Sequence, residues 1–159
     1  MKLYHGSNTV IEKIDLTRSK PNKDFGKGFY LSENKEQAME MAKQKVIQTE
    51  VGVETINTYE FDEKHLTDGT LKVKIFHDYS EEWAEFILMN RDRRNKMKMH
   101  DFDIVVGPIA DDKVGVQIRL FMDEYIDLPI LVKRLQYIKG VTIQYYFGTE
   151  RAIKTLTRL

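Results

Sequence analysis

The chain has 159 residues, with 25 Lys and Arg balanced by 25 Asp and Glu, four His and no Cys. That length suits one domain, and 42% hydrophobic with 31% charged residues at zero net charge describes a folded chain, not a disordered one. The lack of Cys excludes disulfides, zinc–thiolate and iron–sulfur sites and a cysteine nucleophile, and the neutral balance argues against a nucleic-acid binder that uses its whole surface.

In chain order, Lys2 to His5 reads as a short strand ending at Gly6-Ser7. Residues 8–27 are polar, and Pro21-Asn22 and Lys23-Asp24 mark a surface loop. Gly28 to Ser32 is a second strand. Asn34 then serves as the N-cap of a helix, with Gln37 placed to return the bond in a capping box and Ala38, Met41, Ala42, Lys45 and Val46 at helical spacing. Thr55 to Phe61 and Leu71 to Phe76 are strand-like. Ser80 caps a helix whose stripe is Trp83, Phe86, Ile87 and Asn90.

Phe102 to Gly107 is a nearly continuous apolar run and predicts a buried strand. Val114, Ile118, Phe121 and Tyr125 predict a helix. A further helix opens at Leu128-Pro129, runs through Leu131, Leu135 and Ile138, and closes at Gly140. Val141 to Phe147 is a strand, and Thr149 caps a last helix through Leu156. The order β, β-α, β-β, α, β, α-α, β-α predicts an α+β fold in a single domain spanning residues 1–159. The first residues lack the apolar core of a signal peptide, and no apolar run approaches the ~20 residues of a spanning helix. Cytoplasmic residence, without membrane contact, is therefore the expectation.

Standard site chemistries are poorly represented. Gly26-Lys27-Gly28 precedes a strand rather than a helix, which does not suit a phosphate loop. His5, His65, His77 and His100 stand apart, so no metal site is expected. The stretch from Arg91 to His100 holds five Lys/Arg and one Asp, and reads first as a helix end and solvated loop. The stretch from Asp101 to Asp127 holds seven acids and two bases, so the surface alternates in sign. What remains is a strand His beside a glycine and a Gly-flanked strand bearing aromatics, whose rings can stack on a flat heterocycle.

Taken in order, LYHGS, DFGKGFYLS, EEWAEFI, DFDIVVGPIADD and IQYYFGTERAIKTL resemble a bacterial family of unknown function related to the ADP-ribosyltransferases of the His-Tyr-Glu type. The resemblance runs over residues 1–157 and implies two small, mainly antiparallel sheets packed together, with NAD in the cleft between them. His5 matches the histidine that bonds the adenosine-side ribose, Gly6 the residue whose backbone holds the carboxamide, and Ser7 a polar ribose or phosphate contact. Tyr30 matches the aromatic that stacks on nicotinamide, with Phe25, Lys27 and Phe29 beside it. The third signature position, a Glu in relatives, falls on Gln144 by strand period, with Glu150 as the competing assignment.

A Gln amide can hold a ribose hydroxyl but has no useful basicity. The resemblance therefore implies either an NAD-dependent mono-ADP-ribosyltransferase or a catalytically inactive module of the same fold that binds NAD, ADP-ribose or a partner protein. The transferase would be toxin-like, with a cognate antitoxin as partner and a protein, nucleic-acid or small-molecule acceptor. His5, Tyr30 and Gln144 are the expected catalytic residues.

Overall fold

Along Lys2–Ser7, Lys2 is exposed, Leu3 and Ser7 are buried, and Tyr4, His5 and Gly6 are half-buried, so the Leu3 and Ser7 face is the more deeply covered side of a strand. This strand, β1, lies near the middle of the sheet in a computed structural model that describes residues 1–138 and 140–159. The other strands are β2 (Phe29–Ser32), β3 (Thr55–Phe61), β4 (Val73–Ile75), β5 (Ile104–Pro108), β6 (Ile143–Phe147) and β7 (Leu156–Arg158). The α-helices are α1 (Lys35–Thr49), α2 (Glu81–Arg91), α3 (Asp112–Met122), α4 (Leu128–Leu135) and α5 (Glu150–Ile153).

The fold is α+β, as the element order predicts, but the expected pair of sheets is replaced by one mixed seven-stranded sheet in the order β4-β5-β6-β2-β1-β3-β7. β4 and β5 run parallel, and every other neighbouring pair is antiparallel. The physical reason for the difference lies at the centre. Along β3, β1 is paired from Lys2↔Glu60 to Ser7↔Thr55, whereas against β2 it makes one register pair, Tyr4↔Ser32. That single pair joins two half-sheets into one, and past it β1 and β2 diverge.

The N-caps follow the sequence closely. Asn34 accepts from the Gln37 amide and Ser80 from the Trp83 amide. Gln37 does not close the expected capping box, because its side-chain oxygen accepts the Ser32 hydroxyl at 2.6 Å instead. The strand expected over 71–76 contracts to β4, and α4 stops at Leu135, although Ile138 still packs against the core. The last predicted helix is also shorter than expected: α5 ends at Ile153, and Leu156–Arg158 becomes an edge strand on β3.

Two apolar clusters cover opposite faces. Trp83, Ile87, Val105, Val114, Ile118, Leu131 and Tyr146 form one, under α2, α3 and α4, while Leu3, Leu31, Phe61, Ile104, Tyr145 and Phe147 form the other. Hence β5 and β6 are buried on both faces and lose the clean apolar–polar alternation of a half-exposed strand. Asp103 ties the far end of the sheet. It is buried, and its carboxylate accepts from the Lys72 amide at 2.8 Å and from the Thr149 hydroxyl and Arg151 guanidinium, both at 2.6 Å. Burial alone would raise its pKa, but those donors outweigh it and hold the carboxyl below its ordinary value.

α1 lies against β1 at Gly6. A Cβ there would stand 1.9 Å from the Ala38 carbonyl oxygen and 2.7 Å from the Ala42 nitrogen, so a side chain cannot fit without displacing the helix backbone. Gly6→Ala is therefore expected to cost about 3 kcal/mol of stability, read by urea unfolding; a loss below half a kcal/mol would show that α1 adjusts freely.

Candidate binding cleft

The divergence of β1 from β2 opens a cavity of about 390 Å³ between them. It is walled by β1 at His5, Gly6 and Ser7, by β2 at Phe29 and Tyr30, by α1 at Met41, Gln44, Lys45 and Gln48, and by the segment from Asn8 to Lys23. That segment is clamped to the start of β2 by Ser19, whose hydroxyl donates to the Gly28 carbonyl at 2.7 Å and accepts from the Gly28 amide at 3.0 Å.

His5 bridges the mouth of the divergence. Its Nδ1 lies 2.7 Å from the Tyr30 carbonyl oxygen, which can only accept, so Nδ1 carries the proton and Nε2 is left as an acceptor. The ring stacks on Phe29 with centroids 4.4 Å apart. Burial, with the charges of Lys23 and Lys45, lowers its pKa to about 4 against the favourable Tyr30 bond, so the imidazole is neutral near pH 7. His5 is thus set up to accept a hydrogen bond, not to act as a cation.

Tyr30 is pinned from the other end. Its hydroxyl donates to the Gly26 carbonyl at 2.5 Å and accepts from the Phe25 amide at 3.0 Å, and the ring meets Tyr146 edge-on at 5.3 Å. Burial pushes its pKa well up, so the phenol stays protonated. The Lys23 ammonium stands 5.0 Å over the ring. Desolvation, followed by the like charges of Lys45 and Lys20, lowers the pKa of Lys23.

Lys13, Arg18, Lys20, Lys23 and Lys45 all line this cleft, and none takes part in a salt bridge among the described residues. Asp15 is the one carboxylate in the wall among the described residues, and both the Thr17 amide and hydroxyl donate to it, at 2.9 and 2.6 Å. The cleft is an unneutralised cationic cavity with aromatic faces and a neutral histidine acceptor, which suits an anionic ligand with flat rings and hydroxyls. Sequence reasoning missed these cations. Their trace was present in the loop from Lys13 to Lys27, which has five cations against two acids.

The sequence-predicted residues divide sharply. His5, Gly6, Ser7, Phe29 and Tyr30 converge on the cleft. Phe25 is fully buried in the apolar cluster, stacked near Tyr30 at 6.3 Å, and lies outside the cavity wall. Lys27 lines a different cavity. Gln144 lines neither. Its strand face, expected to be open, also carries Tyr146, which is fully buried beneath the helices. The Gln144 amide donates to Asp24 Oδ2 at 3.2 Å; that oxygen also accepts from the Ala110 amide at 3.0 Å, while Arg91 holds Oδ1 at 2.8 Å. Gln144 thus belongs to a polar tie between β6 and the loop before β2. Glu150 is exposed in the first turn of α5.

Residues 1–157 match a family described as "Protein of unknown function (DUF3990)", and the chain belongs to that family. No curated protein matches the chain. Among the described residues, no helix is long and apolar enough to cross a membrane, and no three His, Asp or Glu side chains converge as a metal site would require.

The state of His5 carries a pH signature. Between about 6.5 and 4 the unfolded chain holds a proton at this position that the folded chain rejects, so stability falls as pH drops through that window. The loss should approach ~3 kcal/mol by pH 4, and a His5→Gln variant should show a flatter profile by that amount in urea unfolding. An NMR titration placing His5 near its ordinary pKa would contradict this account.

Proposed function

We propose that the cleft binds NAD and that the protein transfers ADP-ribose from it to an acceptor. The observation that carries this reading is the gathering of His5, Gly6, Ser7, Phe29 and Tyr30 around one cationic cavity where β1 leaves β2. The residues present fit the ligand. Lys20, Lys23 and Lys45 offer charge for a diphosphate, His5 Nε2 offers an acceptor for a ribose hydroxyl, and Tyr30 offers a ring held rigidly by its own hydroxyl bonds. When bound, NAD would supply the ADP-ribosyl group, the ribose carbon bonding to the acceptor as its bond to the ring breaks, with neutral nicotinamide as the leaving group and the acceptor's proton passing to solvent.

The protein's part in that reaction is positioning. His5 stays neutral and fixed by the Tyr30 carbonyl, so it orients a hydroxyl without contributing charge. Lys23 occupies the Tyr30 face, so a ring stacked there requires its ammonium to swing towards the phosphates, which its four-carbon stem allows. Preorganised contacts of this kind can account for a large share of a transfer barrier without a general base.

A second reading, binding without turnover, is favoured by a specific observation. Gln144 is engaged with Asp24, Glu150 lies outside the cleft, and Asp15 is engaged by Thr17. Calorimetric titration with NAD, combined with nicotinamide release in the presence of cell lysate, separates the two. Saturable binding, weakened about tenfold (~1.4 kcal/mol) in Lys23→Gln/Lys45→Gln, is expected under both readings, and nicotinamide release that the same substitutions reduce is expected under the first alone. Wild-type protein that binds no NAD at millimolar concentration would overturn both.

A further inference from the structure

The loop from Leu16 to Gly28 separates the cleft from a second cavity of about 360 Å³, and Leu16 lines both. This second space is walled by the tail after α2, from Asn95 to His100, and by Asn22, Gly26 and Lys27 of the loop. Three features of its wall point to one class of ligand.

The first is charge. Of the arginines in this stretch, Arg91 is paired with Asp24 at 2.8 Å and Arg94 with Asp92 at 2.7 Å, while Arg93 is exposed and lies outside the cavity wall. Lys27, Lys96 and Lys98 line the cavity, are exposed, and form no salt bridge among the described residues. The basic stretch that reads in sequence as a helix end therefore keeps its lysines uncompensated, and these lysines converge on a concavity.

The second is a set of spare acceptors. The Asn95 amide nitrogen donates to the Met89 carbonyl at 3.0 Å, and the Asn22 amide nitrogen donates to the Asp92 carbonyl at 3.2 Å. These bonds fix both carboxamides and leave their oxygens to accept from a ligand. The third is an apolar lining from Pro21, Met97 and Met99, with Met97 83% exposed. His100 forms the floor and has no spare polarity, since Nε2 donates to the Phe25 carbonyl at 2.7 Å and Nδ1 accepts from the Phe102 amide at 3.1 Å.

We propose that this second cavity binds a nucleotide of a single-stranded nucleic acid. Phosphates meet Lys27, Lys96 and Lys98, base amino groups meet the Asn22 and Asn95 oxygens, and a base face lies on the methionines. A single strand is specified because the acceptors line a concave wall, which the stacked bases of a duplex cannot enter without being extruded. The cations of the cavity are lysines, suited to tracking a phosphodiester backbone, while recognition of a phosphorylated side chain usually calls on the planar fork of an arginine. The inference rests on this cavity alone and holds whether or not the neighbouring cleft takes NAD.

The test is fluorescence anisotropy with labelled 12-nucleotide single strands of DNA and RNA, their duplexes, and a phosphoserine peptide, over a series of salt concentrations and without NAD. Binding to a single strand in preference to its duplex is expected. Lys27→Gln/Lys96→Gln/Lys98→Gln should weaken it at least about tenfold and reduce the slope of log affinity against log salt by about 2. The three side chains are exposed, so circular dichroism should be unchanged, and NAD titration of the same variant should match wild type if the cleft binds NAD. Equal oligonucleotide affinity in wild type and variant, or tighter binding of the duplex or the phosphopeptide, would overturn the proposal.

Discussion

The hydrogen bond from His5 Nδ1 to the Tyr30 carbonyl holds the sheet where its backbone ladder stops. β1 and β2 share one register pair, Tyr4↔Ser32, and would otherwise leave the β2 backbone unpaired at the point where the cleft opens. The imidazole takes the place of a ladder bond, rests on Phe29, and keeps its proton on the atom facing the backbone. Everything around the cleft depends on that substitution of a side chain for a strand neighbour. It fixes the tautomer and bridges the two halves of the sheet at the mouth of the cleft, while burial and the nearby lysines keep the ring neutral against it.

Tyr30 makes the complementary link. Its carbonyl takes the His5 bond and its hydroxyl reaches back to Phe25 and Gly26, so one residue connects β1 with the turn before β2. Phe25 carries the connection into the apolar cluster under α2. A second chain of contacts runs from Asp24 to Arg91, Ala110 and Gln144, joining the same turn to α2, to the segment after β5, and to β6. The aromatic-rich turn is thus fixed from three directions, as a binding wall must be if it is to present a ring at a constant position.

Much of this was legible in the sequence, for reasons that differ by residue. Asn34, Ser80 and Thr149 announce helix starts because a cap is a local bond between neighbours in the chain. The apolar run before Pro108 announces a doubly covered strand. Other features were not local. Leu156–Arg158 pairs with β3, nearly a hundred residues earlier, and helical propensity after Thr149 says nothing of that vacant edge. The same holds for the joined sheet, which turns on the Tyr4↔Ser32 pair. For Gln144, the period of two correctly separated it from Tyr145, but whether its face was open or covered depended on where α2, α3 and α4 settled. Gly6 shows the converse. A glycine that reads as room for a ligand is also required by the backbone of α1.

Ser19 grips Gly28 through both the amide and the carbonyl, which makes the stretch between them a closed loop with a short, fixed base. Leu16, just outside that base, faces both cavities. One thin partition therefore serves two compartments, and a ligand that displaces it on one side changes the volume offered on the other. Linkage makes such an effect mutual: whatever factor occupancy of one compartment imposes on affinity in the other is imposed equally in return. The loop is a party wall, and its stiffness sets how far the two sides are independent.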